Sequence, residues 1–463
     1  MSDPAVLPNR PDRPFFTEPG VSKPNPSQLA VPTVTLTTAT CIVVANMVGT
    51  GVFTSLGFQV ADLPSGFVIL CLWVLGGVVA LGVALSYAEL AAALPRSGGE
   101  YHFLSRVFHP AIGFLSGWTS ATVGFAAPIA LSGLAFGAYA KELAPWASPV
   151  VLAMVLVWGT TFVHLAGLRQ GSAFQDWSTF LKVALIMAFI VAGFVARATP
   201  GISFLPASHD WRLMTGPAFA ISLVYVMYAY SGWNASTYIV NEIRDPQRNV
   251  PRSVITGTVV VLVLYVALNA AFMRTTPIPA MAGQLQVASV AGKQIFGSAG
   301  TKTVAGLICL GLVSSVSSMV WIGPRVTVAM GEDLRGLSML AAKTKNGTPG
   351  RAIVLQAVIA TVLVLNKSFQ DVLIYIQMVL ILFSALTVLG VIVLRVREPD
   401  LERPYRTWGY PVTPVLFILV SAFMMFYTVQ TNPWQSLEGL ATILAGLIVY
   451  FATGGRLTHE ERV

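Results

Sequence analysis

Ala45-Asn46-Met47-Val48-Gly49-Thr50-Gly51-Val52-Phe53 interrupts an apolar run that extends from about Val34 to Asp62. A run of that length can cross a hydrocarbon layer of about 30 Å as one helix. Its centre is poorly made for the task, because a glycine in a helix interior is less favourable than alanine by up to about 1 kcal/mol, and here two of them bracket a threonine. Opening a helix inside a bilayer bares amides and carbonyls that only protein, ligand or trapped water can satisfy. The patch is therefore either a binding site or, by its small-x-small spacing, a surface on which two helices pack closely. Taken alone, it leaves both readings open.

The remainder of the chain has the same character. Of 463 residues, 55% are hydrophobic and only 10% are charged, with a mean hydropathy of +0.72. A soluble domain carries about 25% charged residues. Apolar runs recur along the chain and predict twelve spans. They run from about Val34 to Asp62, Phe67 to Leu94, Ala111 to Ala140, Val150 to Leu168, Gly171 to Ala196, Pro217 to Glu242, Pro251 to Thr275 and Thr301 to Met330, with the last four beginning near Arg351, Phe369, Val412 and Trp434. With the amino terminus inside, 20 of the 28 Lys and Arg residues fall on the cytosolic side, seven fall on the other, and Lys182 lies within a span. That bias predicts an even number of spans with both termini cytosolic.

The net charge of +8 is explained by these connections, with no basic helix face or aromatic-interleaved patch for nucleic acid. Cys41, Cys71 and Cys309 all fall inside apolar runs, so there is neither a disulfide framework nor a metal-ligand spacing. Residues 1–30 are polar and rich in proline, and predict a flexible cytosolic tail with no signal peptide. Residues 31–400 are expected to form one helical core and residues 401–463 two peripheral helices and a cytosolic end.

The sixth span carries a second weak point, Tyr228-Ala229-Tyr230-Ser231-Gly232-Trp233-Asn234. Five spans separate the two breaks, and an odd number reverses the direction of the chain. Two five-span units that begin with the same kind of broken helix predict an inverted repeat with its site at the midplane. The amides of Thr50, Gly51 and Val52 would open a half-helix whose positive end favours a carboxylate. The carbonyls of Met47, Tyr228, Ala229 and Ser231 would accept from an ammonium. A ligand with both groups on one carbon is an α-amino acid.

Lys182 lies about eleven residues into the fifth span, roughly 16 Å from its start at 1.5 Å per residue, which is beyond the reach of a snorkelling lysine. It is expected to dock on carbonyls of the opened first helix, in the place of a metal cation and with the capacity to carry a proton; the alternative is a structural plug. Ser314, Ser315, Ser317 and Ser318 would otherwise suit Na⁺. Asp62, Glu89 and Asp176 lie near span ends, where the interface or a basic neighbour satisfies them. His164, close to Arg169, is either a proton relay or an interface histidine.

These motifs resemble the amino acid-polyamine-organocation superfamily of transporters, and within it the L-type amino acid transporter branch. The resemblance is carried by Val48-Gly49-Thr50-Gly51-Val52-Phe53, by Tyr87-Ala88-Glu89-Leu90 with Pro95-Arg96-Ser97-Gly98-Gly99-Glu100-Tyr101, by Leu181-Lys182-Val183, and by Tyr228-Ala229-Tyr230-Ser231-Gly232-Trp233-Asn234 leading to Asn249-Val250-Pro251. It implies an all-α polytopic membrane protein of twelve transmembrane helices, a 5+5 inverted repeat of the LeuT type with discontinuous helices 1 and 6, and alternating access. It also implies the carboxylate and amine assignments above and a lysine at 182 in the place of sodium. Ser231 stands where many members of this branch have glycine, which narrows the pocket toward smaller side chains. The loop Lys141-Glu142-Leu143-Ala144-Pro145-Trp146-Ala147-Ser148 lacks the cysteine through which animal members of the branch bind a heavy subunit, so a stand-alone carrier is expected.

The expected function is sodium-independent transport of neutral amino acids across the plasma membrane, by exchange or proton symport, without cofactor, metal or enzymatic activity. A polyamine or cationic amino acid carrier would need an acid such as Glu89 or Asp62 in the pocket. A channel would need a filter repeat or a ring of like residues, and an intramembrane enzyme a paired acid and base or a metal set, none of which the sequence contains.

Overall fold

Short polar side chains and prolines set where the helices begin. Thr35, Ser65 and Ser368 accept from the amides of Thr38, Val68 and Asp371, and prolines occupy the first turns that start at Pro110, Pro149, Pro217, Pro246 and Pro433. The computed structural model describes residues 34–166, 172–198, 202–344 and 347–453. The expected tail, residues 1–30, and the segment after residue 453 lie outside the described residues, as do Arg10, Arg13, Lys23, Arg169, Lys345, Arg456 and Arg462 of the basic residues counted above.

In chain order the helices are α1 Leu36–Met47, α2 Gly51–Asp62, α3 Gly66–Ala93, α4 Glu100–Val107, α5 Pro110–Thr119, α6 Ala126–Ala140, α7 Pro149–Leu165, α8 Ser172–Val195, α9 Asp210–Met214 and α10 Pro217–Tyr230. Then follow α11 Pro246–Thr275, α12 Ile278–Met281, α13 Val287–Phe296, α14 Ser298–Asp333, α15 Ser338–Ala341, α16 Gly350–Asn366, α17 Phe369–Arg397, α18 Val412–Thr431 and α19 Pro433–Ala452. Each of the twelve expected runs carries helix. Among the described residues nine segments are long and apolar enough to cross a membrane, while α7 and α16 are shorter apolar helices.

Three expectations need adjusting. The third run is not one uniform helix, because a π-turn at Ser120–Gly124 separates α5 from α6. The second half of the sixth run is a 3-10 helix, Ala235–Glu242. The connections between runs, for which the sequence predicts no span, hold the short helices α4, α9, α12, α13 and α15.

The first run lies deepest. The most apolar window of Leu36–Asp62 is 89% buried, against 28% for Val412–Thr431 and 22% for Pro433–Ala452. The protein therefore wraps its broken first helix and leaves the last two at the edge. Behind the break stands an aromatic wall. Trp73 of α3 meets Tyr230 of α10 and Tyr265 of α11 with ring centroids 5.9 and 5.7 Å away, and its indole N–H donates to Gln59 of α2 at 3.0 Å. The first pair is tilted and the second edge-on, and aromatic pairs of this kind add about 0.5–1.5 kcal/mol each beyond the area they bury. They hold α2, α3, α10 and α11 in fixed relation around the openings.

Candidate functional site

Both weak points are open. At the first, α1 ends at Val48 (φ −78°, ψ 76°) and α2 starts at Gly51, so Gly49 and Thr50 lie outside regular helix. At the second, α10 ends in the extended Ser231 (φ −61°, ψ 155°), and Gly232 adopts φ +103°, a backbone region that favours glycine. The two openings touch. A Cβ on Gly51 would lie 2.5 Å from the Ala229 Cα, and one on Gly232 would lie 2.9 Å from the Asn46 carbonyl carbon. The small residues thus do both things the sequence allowed: they open the helices and let the openings meet.

One cavity, with about 950 Å³ of unfilled space that is partly open to solvent, lies against this junction. Met47, Thr50, Gly51, Tyr228, Ala229, Ser231, Gly232, Trp233 and Asn234 all line it; Val52, the remaining residue predicted for the site, is buried and does not. The amides of Gly51 and Val52 begin α2 and so have no acceptor within that helix. The Trp233 indole N–H also has no acceptor among the described residues.

The carbonyls differ from expectation. The Met47 carbonyl accepts from the Tyr265 hydroxyl at 2.6 Å and the Gly49 amide at 2.8 Å. The Tyr228 carbonyl accepts from the Ser231 hydroxyl at 2.7 Å and the Ser231 amide at 3.0 Å. Two donors fill the two lone pairs of each oxygen, so neither is free for an ammonium. At the ends of the opened helices, the carbonyls of Asn46, Ala229 and Ser231 have no donor among the described residues. The Tyr228 hydroxyl instead stands 3.2 Å from the Thr50 Oγ1, joining the two openings by a side-chain bond.

Lys182 sits on the opposite side of the first opening. It is 4% exposed, and its Nζ donates to the Val48 carbonyl at 3.1 Å, the Ala45 carbonyl at 3.5 Å and the Ser315 Oγ at 2.8 Å. The Ser315 hydroxyl in turn donates to the Val48 carbonyl at 2.8 Å. The other three serines of α14 are engaged as well: Ser318 with the Asn46 Nδ2 at 2.7 Å, Ser314 with Ser178 at 3.0 Å and Ser317 with His164 at 3.0 Å. Lys182 and Gly49 also line a second, almost wholly apolar cavity with Phe53, Phe189 and Phe272. Gly49 is common to the two cavities.

The acids named in advance stay out of the main cavity. Glu89 accepts from the Nε and Nη2 of Arg395, at 2.8 and 2.6 Å, and from the Thr407 amide at 2.7 Å. Asp62 is exposed at the end of α2, and Asp176 accepts from Thr38 at 3.1 Å. The acid that does line the cavity is Glu100, together with Ser120, Gly124 and Phe125 of the third run, Met319 of α14 and Gln377 and Ser384 of α17. Gly98 and Gly99, at φ +120° and +55°, turn the chain so that Glu100 points inward. A Cβ on Gly99 would meet the Tyr238 ring at 2.6 Å, which leaves glycine as the residue that fits. Burial pushes the Glu100 carboxyl up to about 7, against the hydrogen bonds of Tyr87, Ser116 and Asn234 that pull it down. In the sequence this acid lies in a short connection between spans, and only the paired glycines before it signal that it turns inward.

An opened pair of membrane helices around a cavity lined by both polar and apolar groups is transporter architecture, and the sequence comparison agrees: residues 34–451 match the family model for amino acid permease. The chain belongs to the amino acid permease family. Members of the family are transporters, not enzymes. The chain is 29% identical over 420 residues to the b(0,+)-type amino acid transporter 1 of Mus musculus, covering 89% of this chain and 85% of that protein. It is 27% identical over 430 residues to the large neutral amino acids transporter small subunit 2 of Homo sapiens, covering 90% of this chain and 79% of that one. These relatives place this permease in the amino acid-polyamine-organocation superfamily, on the L-type side.

Proposed function

We propose that this permease is a sodium-independent carrier of neutral L-amino acids, working by alternating access as an exchanger or a proton symporter. In this reading the chain has twelve spans arranged as two inverted five-span units plus α18 and α19, sits in the plasma membrane with both ends in the cytosol, and works without a disulfide-linked partner. The substrate carboxylate takes the amides of Thr50 and Gly51, where the α2 dipole favours an anion. The substrate ammonium takes the carbonyls of Ala229 and Ser231, with Asn46 beside them. Lys182 supplies a fixed positive charge where a sodium ion would otherwise hold the opening together.

The observation that carries this reading is the junction itself: helix-start amides from one opening and free helix-end carbonyls from the other face one cavity, across contacts that only glycine permits. The four engaged α14 serines support the absence of a sodium requirement. The test is uptake of labelled L-leucine and L-alanine into proteoliposomes, with and without sodium, with and without internal amino acid, and across a pH step. Uptake that is unaffected by replacing sodium with choline is expected; strict dependence on sodium would overturn the role given to Lys182, and absence of uptake of either amino acid would overturn the substrate class.

A further inference from the structure

Glu100 is a buried acid on the cavity wall for which the substrate contacts above have no use. It is 3% exposed. From α3 the Tyr87 hydroxyl donates to its Oε1; from α5 the Ser116 hydroxyl reaches Oε2 at 3.5 Å; from beyond the second opening the Asn234 Nδ2 reaches Oε1 at 3.4 Å. On α17 the hydroxyl of Ser384 also faces it. No lysine or arginine pairs with it among the described residues. The other titratable groups facing it are the phenols of Tyr87 and Tyr238; on its own helix, Tyr101 is spent on Asp333, and His102 is held down to about 4 by burial and by the Arg96 guanidinium. A buried carboxylate with neutral partners only carries a desolvation cost, which a proton removes.

Lys182 does not line the main cavity: its Nζ donates to the backbone of the first opening and to Ser315. Glu100 borders the cavity, and its hold on Asn234 reaches a residue two places from Gly232. A proton on Oε1 turns an acceptor into a donor and frees the Asn234 amide, so the ionisation state of the acid bears directly on the second opening.

We infer that Glu100 is the proton-binding site of the transport path: its carboxylate forms an O–H bond with a proton from cavity water on one side of the membrane and returns that proton to water on the other, in step with the amino acid. This rests on the transporter reading above and selects symport within it. In the folded protein the acid keeps its proton up to about pH 7, whereas an ordinary carboxyl has lost it near 4.5. Substrate binding linked to the protonated form is therefore strong below that midpoint and falls above it, by up to about tenfold per pH unit.

The experiment uses the full chain in lipid nanodiscs, with L-alanine and L-leucine as probes, titrated from about two pH units below neutrality to about two above by intrinsic tryptophan fluorescence. The wild type should show an affinity that declines with a midpoint near 7, and Glu100→Gln a flat profile. In proteoliposomes holding a pH dye, adding either probe should acidify the lumen for the wild type and not for Glu100→Gln. A Glu100→Gln profile matching the wild type, or a wild type that binds with no pH dependence, overturns the inference and leaves the carrier intact. Absence of binding to the wild type at every pH would instead overturn the amino acid reading itself. Should Glu100→Gln fail to fold, Glu100→Asp carries the test: its midpoint moves if carboxyl 100 is the titrating group, and an unmoved midpoint overturns the inference.

Discussion

The ammonium of Lys182 has three oxygen acceptors and, among the described residues, no carboxylate within ion-pair distance. Removing it in Lys182→Ala leaves the Ala45 carbonyl without its side-chain donor and the Val48 carbonyl with Ser315 alone, and a buried acceptor left unpaired costs about 1–3 kcal/mol. Spent on the balance between conformations, that is about a 5- to 150-fold change, so uptake should fall at least about fivefold while the purified variant stays folded; uptake at the wild-type rate would return the lysine to a packing role. Two glycines separate pocket from packing. A Cβ at Gly49 meets nothing within 4 Å, whereas a Cβ at Gly51 meets the Ala229 Cα at 2.5 Å. Gly49→Ala should keep the wild-type melting temperature and weaken uptake of L-leucine more than of L-alanine, whereas Gly51→Val should lose stable protein. A stable Gly51→Val with intact uptake would contradict both the contact and the carboxylate assignment. Residue types here were legible: glycines mid-span, a lysine too deep to reach water. What could not be read is which carbonyls remain free, because Met47 is satisfied by Tyr265, a residue more than two hundred positions away that only the packing of α11 brings close.

At the scale of elements, the openings were legible because their causes are local. Gly49, Gly51, Ser231 and Gly232 are poor helix residues in stretches where every neighbour is a good membrane residue. The π-turn at Ser120–Gly124 was not, since its sequence, Ser-Ala-Thr-Val-Gly, also suits a continuous helix, and the bulge is decided by what α14 and α17 pack against it. The short helices α4, α12 and α13 escaped notice for the opposite reason: they are shorter than a span, and their apolar faces are covered by neighbours that the sequence does not bring together. The second opening makes the sharper test. Gly232→Ala forces a side chain into φ +103° and against the Asn46 carbonyl carbon at 2.9 Å, costing about 1–3 kcal/mol in backbone strain alone. The outcome expected is a lower melting temperature together with slower exchange of L-alanine, because α10 must then shift away from α1. A variant with unchanged melting and exchange would mean that the second opening has room the structure does not give it.

Across the whole molecule, one end of the bundle is tied together by a small set of polar links. Asp333, closing α14, takes the Arg96 guanidinium and the Tyr101 hydroxyl, each at 2.7 Å, and Arg325 of the same helix reaches Glu242 at 3.3 Å. Val34 and Ile243 form an isolated parallel bridge, in which the Val34 amide donates to the Glu242 carbonyl and the Arg244 amide to the Val34 carbonyl, each at 3.0 Å, so the start of α1 and the end of the 3-10 helix move together. The links thus join the broken helices, as one unit, to α14 and through it to α4. Arg96 and Asp333 are 45% and 30% exposed, so their pairing contributes little to stability as such, about 0.2–1 kcal/mol, and the Tyr101 bond to a charged acceptor adds about 1.5–3 kcal/mol at most. Energies of that size hardly matter to a folded bundle with so large a buried core, but they matter to an equilibrium between two shapes of the bundle, where about 1.4 kcal/mol is a factor of ten. Asp333→Asn should therefore leave the melting temperature nearly unchanged and open this end more often. In a background with Cys41, Cys71 and Cys309 replaced, a cysteine introduced by Ser384→Cys on the cavity wall should react with a membrane-impermeant maleimide about fivefold or more faster when Asp333→Asn is added and the reagent is applied from this end. An unchanged labelling rate would show that the apolar packing of α1, α11 and α14, and not the polar links, holds the cavity closed on that side.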